Sequence, residues 1–208
     1  LIYNSPTFGD EVRTFCMNPN GEVVQENYNG ISTVNGHSYA EKTTNNTNFA
    51  LLVSEKFTEP FKEPIQYGQH IARLANMLGG GILVQRFGDL LDGRRSTPER
   101  IKASTIRPTL TCATPGDLSL VIPYRQMTSI IEMLQALDKI CPGTASRYTL
   151  LYGIEVKFYS ARVKLTNELE TEGVKNLFAI GDGAGVTRGL IQASASGVHA
   201  ARTICARG

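Results

Sequence analysis

The sequence has no surplus of charge of either sign: 21 basic and 19 acidic residues are interspersed along 208 positions and leave a formal net charge of +2. That balance argues against the broad basic face with which a protein neutralises many phosphates of a nucleic acid. A small molecule is therefore the expected ligand, and neither nucleic acid nor membrane is an expected partner. No uninterrupted apolar run reaches the length that a bilayer-spanning helix needs. The opening residues LIYNSPTFGDE have neither a basic n-region nor an apolar core, so no secretory signal is read there and the expected location is cytoplasmic. Cysteine is sparse. Cys16, Cys112, Cys141 and Cys205 lie without CxxC or CxC spacing, which argues against a zinc knuckle or a disulfide framework and predicts reduced, mostly buried thiols. His37, His70 and His199 share no ligand-like spacing, so no metal site is expected. The sequon at Asn45-Asn46-Thr47, without a secretion signal, reads as a polar loop.

What the sequence does contain is an ordinary core composition, 41% hydrophobic, with elements of both kinds. The chain starts at Leu1, without an initiator methionine, in what reads as a loop before a strand, and is expected to be a fragment. Residues 11–17 and 22–26 flank Asn18-Pro19-Asn20-Gly21, and the Asn-Gly pair predicts a β-hairpin because both residues tolerate positive φ. A polar stretch over 28–48 leads to an apolar strand over 49–53. Tyr67, Ile71, Leu74 and Leu78 recur at helical spacing until Gly79-Gly80-Gly81 stops the pattern. Met127, Ile130, Ile131, Leu134 and Leu137 mark a second helix over 124–140, closed by Pro142-Gly143. Between them a short helix is expected over 85–91 and a strand over 118–122. Residues 150–159 and 162–165 read as half-buried strands.

The last segment changes character. Residues 176–180 read as a short apolar strand, 181–185 as a glycine-rich turn, and 189–204 as a helix dense in small residues. Strand, glycine turn and helix in that order make nucleotide-site architecture. Asp182 stands at the carboxyl end of the expected strand, where its two oxygens can accept hydrogen bonds from the adjacent hydroxyls of a ribityl chain or ribose. Gly181 and Gly183 permit close approach of a ligand to the backbone. The helix start at Gly189, Leu190 and Ile191 offers unpaired N–H groups and a partial positive charge, suited to the N1–C2 carbonyl region of a reduced flavin. The same pattern also fits a plain βα turn, with Asp182 or Thr187 capping the helix and the glycines serving packing.

The run LFAIGDGAGVTRGLIQASASG resembles the C-terminal flavin-contacting motif of two-dinucleotide-binding-domain flavoproteins. With VRTFCMNPNGEVV, NGHSYAE, TPGDLSLVIPYR and YGIEVKFYSARV, nearly the whole chain resembles the C-terminal portion of the NAD(FAD)-utilizing dehydrogenases, or FAD-dependent proteins. The resemblance implies an α/β chain in two parts, a mixed α+β substrate (insertion) domain over 1–165 and the C-terminal strand and helix of a Rossmann-like FAD domain over 166–208. It implies that the N-terminal Rossmann half is a missing partner, since no GxGxxG follows a strand here. Gly181, Asp182, Gly183, Gly189, Leu190 and Ile191 carry over as cofactor-binding positions; no catalytic residue does. FAD is the implied cofactor of the full-length parent, an oxidoreductase moving hydride between flavin and a small-molecule substrate or NAD(P)H. The fragment alone is expected to lack FAD and activity. A flavin-dependent RNA-modifying enzyme and a non-enzymatic flavin-bound sensor or partner-binding scaffold are the alternatives.

Other residues carry two readings each. Cys16 is a flavin-facing redox thiol or a packed cysteine. Arg94 and Arg95, beside Asp92-Gly93, grip an acidic substrate or dinucleotide phosphates, or belong to a solvated loop. Arg188 orients a substrate carboxylate or pairs with Asp182. Tyr124-Arg125 lines a substrate pocket or anchors a helix end.

Overall fold

A computed structural model of the chain describes residues 1–157 and 162–207. It divides into two compact units, Leu1–Val156 and Lys157–Gly208. The expected part boundary lay near residue 165, and part of the strand expected over 150–159 falls outside the described residues. The architecture mixes helices and small sheets, as expected.

The first unit holds three small sheets. Strand β2 (Glu11–Asn18) lies between β1 (Ile2–Asn4) and β5 (Asn48–Val53), both antiparallel to it. Strands β3 (Glu22–Tyr28) and β4 (Ile31–His37) form a separate two-stranded hairpin. Strand β6 (Leu83–Arg86) lies between a parallel β7 (Thr114–Pro115) and an antiparallel β8 (Leu150–Gly153). The hairpin expected around Asn20-Gly21 is thus corrected: β2 and β3 flank that turn but do not pair with each other. The hairpin turn is Asn29-Gly30, where φ is 50° and 79°, the positive pair that a tight two-residue connection requires. At the earlier turn only Asn20 has positive φ, and β2 finds its ladder with β5 instead.

Helix α1 (Pro64–Gly79) starts on a proline and ends at Gly80 in the left-handed conformation, which stops the helix without a Cβ penalty. Helix α4 (Tyr124–Asp138) turns Met127, Met133, Leu134 and Leu137 inward. Ala75 of α1, Leu83 of β6 and Met127 and Leu134 of α4 share one core with Leu118 and Ile154. Phe87 and Leu90, on the short helix α2 (Phe87–Leu91), complete it. Helix α3 (Pro98–Lys102) is capped by Thr97, whose Oγ1 accepts from the Arg100 N–H at 3.3 Å. Residues 118–122, expected as a strand, instead begin with a 3-10 turn at Leu118–Leu120 because the Asp117 carboxylate caps the Ser119 N–H at 2.9 Å. The four thiols are free and exposed, against the expectation of burial: none lies on an inward-facing stripe.

The second unit contains helix α5 (Leu190–Arg207). The strand expected over 176–180 reduces to one isolated bridge, Glu170 with Phe178, and that expected over 162–165 to the bridge Leu165 with Thr171. Asn176 has φ of 61°, which breaks an extended run, and the Glu170 segment is its only ladder neighbour among the described residues.

Candidate functional site

The predicted cofactor positions come together in the second unit. Gly181, at φ 72° and ψ −166°, turns the chain into the 3-10 turn Asp182–Ala184, and Gly185, at φ 69°, turns it out. These are conformations that a Cβ would strain. The Gly181 N–H donates to Ser196 Oγ on α5 at 3.0 Å, and Ser196 Oγ donates to the Ala193 carbonyl at 2.7 Å. A buried serine on the helix therefore fixes the height of the turn beside it. Residue-type reasoning treated that helix only as rich in small side chains; the Ser-Ala-Ser run was the available signal.

Asp182 is exposed and both its oxygens are engaged on one side. Oδ1 accepts from Thr187 Oγ1 at 2.6 Å and Oδ2 from the Gly189 N–H at 3.2 Å. The Thr187 hydroxyl first, then the Gly189 amide and the charge of Arg188, hold its carboxyl below the usual carboxylate range. It is ionised at neutral pH, and each oxygen keeps acceptor capacity for a further donor. Asp182 and Thr187 thus brace the entry to α5, as the plain-turn reading holds, without exhausting the carboxylate.

Gly189, at φ 115°, leads into α5, whose first intrahelical bond runs from the Ala193 N–H to the Gly189 carbonyl at 3.0 Å. The N–H groups of Leu190, Ile191 and Gln192 precede it and carry the partial positive charge of the helix start. Leu190 and Ile191 are 89% and 82% exposed, so the tip combines free amides with uncovered apolar side chains. A Cβ at Gly183 would meet nothing within 4 Å, and the residue has no positive φ. No described residue demands glycine there, and the open backbone leaves room for a ligand. Open space at Gly183 and the spare acceptor capacity of Asp182 are compatible with a polyol such as the ribityl chain of a flavin. An open cavity of about 450 Å³, lined by Val163, Lys164, Asn167, Glu172 and others, includes Val186 of the same loop.

The remaining candidates lie elsewhere. Arg125 forms a fork on Asp10, with Nε 2.9 Å from Oδ2, so it anchors the β1–β2 connection to α4. Tyr124 is exposed and meets the Phe8 ring edge-on. Arg94 pairs with Asp89 and Asp92, each at 3.0 Å, and the Arg95 carbonyl accepts from Arg100. His37 stacks at a tilt on Tyr39, and His199 Nε2 lies 3.0 Å from the Asn167 carbonyl. Among the described residues no group of histidine, cysteine and carboxylates is placed to hold a metal, and no helix is long and apolar enough to cross a membrane.

Residues 1–158 match the model of a family described as FAD-dependent protein, C-terminal domain-like. Over 216 aligned residues the chain is 32% identical to a protein of Clostridium beijerinckii that bears the name "Uncharacterized protein", covering 98% of this chain and 39% of that relative. The chain spans well under half of the relative's length. The family match lies on the first unit, whereas the Asp182 loop falls in the part covered by the longer alignment alone.

Proposed function

The chain belongs to the FAD-dependent protein, C-terminal domain-like family, and from that premise we propose that it serves an FAD-dependent oxidoreductase, with the Asp182 loop and the start of α5 as its flavin-contacting element. The reading is carried by one observation: an exposed, ionised carboxylate lies next to Gly183, where a Cβ would meet no described atom, and accepts from the Gly189 N–H that leads into the start of α5. Bound FAD would supply the two-electron chemistry.

The chain's own residues supply orientation and charge. Asp182 would accept from ribityl hydroxyls through the lone pairs that Thr187 and Gly189 leave open. Thr187 and Gly189 keep the carboxylate from rotating, so the acceptor is preorganised rather than recruited. The amides of Leu190 and Ile191 would hold the pyrimidine side of the flavin, where the reduced form gathers negative charge. The helix dipole there favours the anion by about 0.3–1 kcal/mol at an exposed site and more when covered. Gly183 leaves room for the polyol.

In this reading the first unit is the substrate-side domain, and NAD(P)H or an organic metabolite is the hydride partner. Anaerobic titration of the full-length protein with NADH, NADPH and candidate metabolites tests it. Bleaching of the flavin absorbance by any of them supports an oxidoreductase, and a flavin that none reduces refutes it.

A further inference from the structure

Arginines distant in sequence converge in the first unit around two carboxylates. Asp89 on α2 is fully buried and receives Ser96 Oγ at 2.8 Å. Its Oδ1 lies 3.0 Å from Arg94 Nε and 3.9 Å from Arg100 Nε, and its Oδ2 lies 3.5 Å from Arg86 Nε. Asp92, at the end of α2, offers a single oxygen, Oδ2, to both Arg94 Nη2 at 3.0 Å and Arg147 Nη2 at 2.5 Å. Four guanidinium groups thus share two carboxylates, and the carboxylate oxygens are used more than once while guanidinium N–H groups are left over. Arg95 and Glu99 flank the cluster with one charge each and do not alter its balance. The Asp92 carboxyl is held below its usual range by Arg147 first and by the charges of Arg94 and Arg100.

The cluster is rigid. Gln85, fully buried on β6, donates to the Arg94 carbonyl at 2.9 Å and sets the backbone of that residue. Arg100 sits on the capped helix α3 and donates through Nη1 to the Arg95 carbonyl at 2.9 Å. Arg86 is closed in by the Arg100 carbonyl and the Tyr148 ring. Arg147 packs so closely on Gly88 that a Cβ there would lie 2.8 Å from its own Cβ. Arg94, Arg100 and Arg147 keep 47%, 37% and 54% of their side chains exposed. The surplus charge therefore faces solvent on planar forks held in place from below.

We propose that Arg94, Arg100 and Arg147 form a binding site for a phosphoryl group of a small molecule, a phosphomonoester or a diphosphate. A dianion with three or more acceptor oxygens matches both the two uncompensated charges and the remaining N–H groups of three guanidiniums arriving from different segments, whereas a carboxylate has only two oxygens to offer them. The site is independent of the Asp182 loop, and its failure would leave the flavin reading untouched.

The test titrates the intact chain calorimetrically with pyrophosphate, ADP and glycerol phosphate at physiological ionic strength. Saturable binding at one site is expected. Tighter binding of ADP and pyrophosphate assigns a diphosphate, and tighter binding of glycerol phosphate a monoester. Arg147→Gln weakens the binding at least about tenfold, the loss expected for a hydrogen bond to a charged group. A charge-matched control, Lys139→Gln, leaves it unchanged. Should Arg147→Gln unfold the chain, Arg100→Lys decides: it keeps the charge and removes the fork, so affinity still falls. Absent saturation, equal loss in the lysine control, unchanged affinity in Arg100→Lys, or binding of an RNA oligonucleotide in place of pyrophosphate would each overturn the proposal.

Discussion

Replacing Gln85 with leucine removes a polar side chain that is fully buried and used at both ends. Its Oε1 accepts from the Leu118 N–H at 2.8 Å, and its Nε2 donates to the Arg94 carbonyl at 2.9 Å and to Asp117 Oδ1 at 3.3 Å. Leucine has nearly the same volume, so no large cavity forms, but two backbone groups lose their partners. At about 1–3 kcal/mol for each unsatisfied buried group, the expected loss is about 2–5 kcal/mol, with some offset from the added apolar burial. For a unit of this size about 1 kcal/mol lowers Tm by roughly 2–4 °C, so a drop of roughly 4–20 °C is expected. Thermal unfolding followed by circular dichroism measures it. Amide exchange measured in parallel should show protection lost at Arg94 and Ser96 and at Leu118, and largely kept in α1. Gln85→Glu is expected to be at least as harmful, because it keeps the acceptor but sets a second carboxylate against Asp117. A Tm within about 2 °C of the wild type for Gln85→Leu, with exchange unchanged, would refute the view that this side chain ties β6 to the arginine-bearing loop.

Other consequences are also measurable. The Arg125 fork, then Ser129, holds the Asp10 carboxyl below its ordinary value. A group depressed on folding stabilises above its unfolded pKa, about 3.9, and that contribution disappears as pH falls through the lower folded value. Acid should therefore weaken the tie between the β1–β2 connection and α4. Arg125→Ala, by leaving Asp10 only 7% exposed without its cation, should cost about 1–3 kcal/mol at pH 7 and flatten this acid dependence in urea melts. Burial pushes the Tyr152 phenol well up. Its un-ionised form belongs to the fold, so stability falls as pH rises above about 10, where the unfolded phenol ionises. In an alkaline spectrophotometric titration its tyrosinate signal should appear only with loss of the far-ultraviolet dichroism, and Tyr152→Phe should remove that late step. Gly21→Ala places a Cβ against the His37 carbonyl and 2.8 Å from Asn18 Cβ. Backbone cannot yield cheaply there, so a loss of about 2 kcal/mol or more is expected in the same urea melts; a neutral result would show that the turn has slack.

What was legible in the sequence followed local periodicity. Ile71 and Leu74 on α1, and Met127 and Leu134 on α4, announced their helices because side chains three and four apart share a face. The chain order of the Asp182 loop was legible for a similar reason: glycines at 181, 185 and 189 take positive φ and no other residue does so cheaply. Pairing partners were not. Two Asn-Gly steps competed within ten residues, and the choice of Asn29-Gly30 as the hairpin depends on β2 finding β5, a contact between distant segments. The short run at 176–180 has strand-like residues, yet a strand exists only when a neighbour supplies its ladder. The charge cluster was invisible to composition because Arg86, Arg94, Arg100 and Arg147 are spread over the chain and are offset by acids elsewhere. Only the fold of β6, α2 and the segment before β8 brings them to one place.

The most direct test of the flavin assignment is the visible absorption spectrum of the purified full-length protein beside that of its Asp182→Ala variant. Flavin bands in the first, and an affinity for FAD at least about tenfold lower in the second while its circular dichroism still shows a folded chain, are the predicted result. A colourless wild-type protein that takes up no added FAD, or a variant that holds FAD as tightly as the wild type, would contradict it.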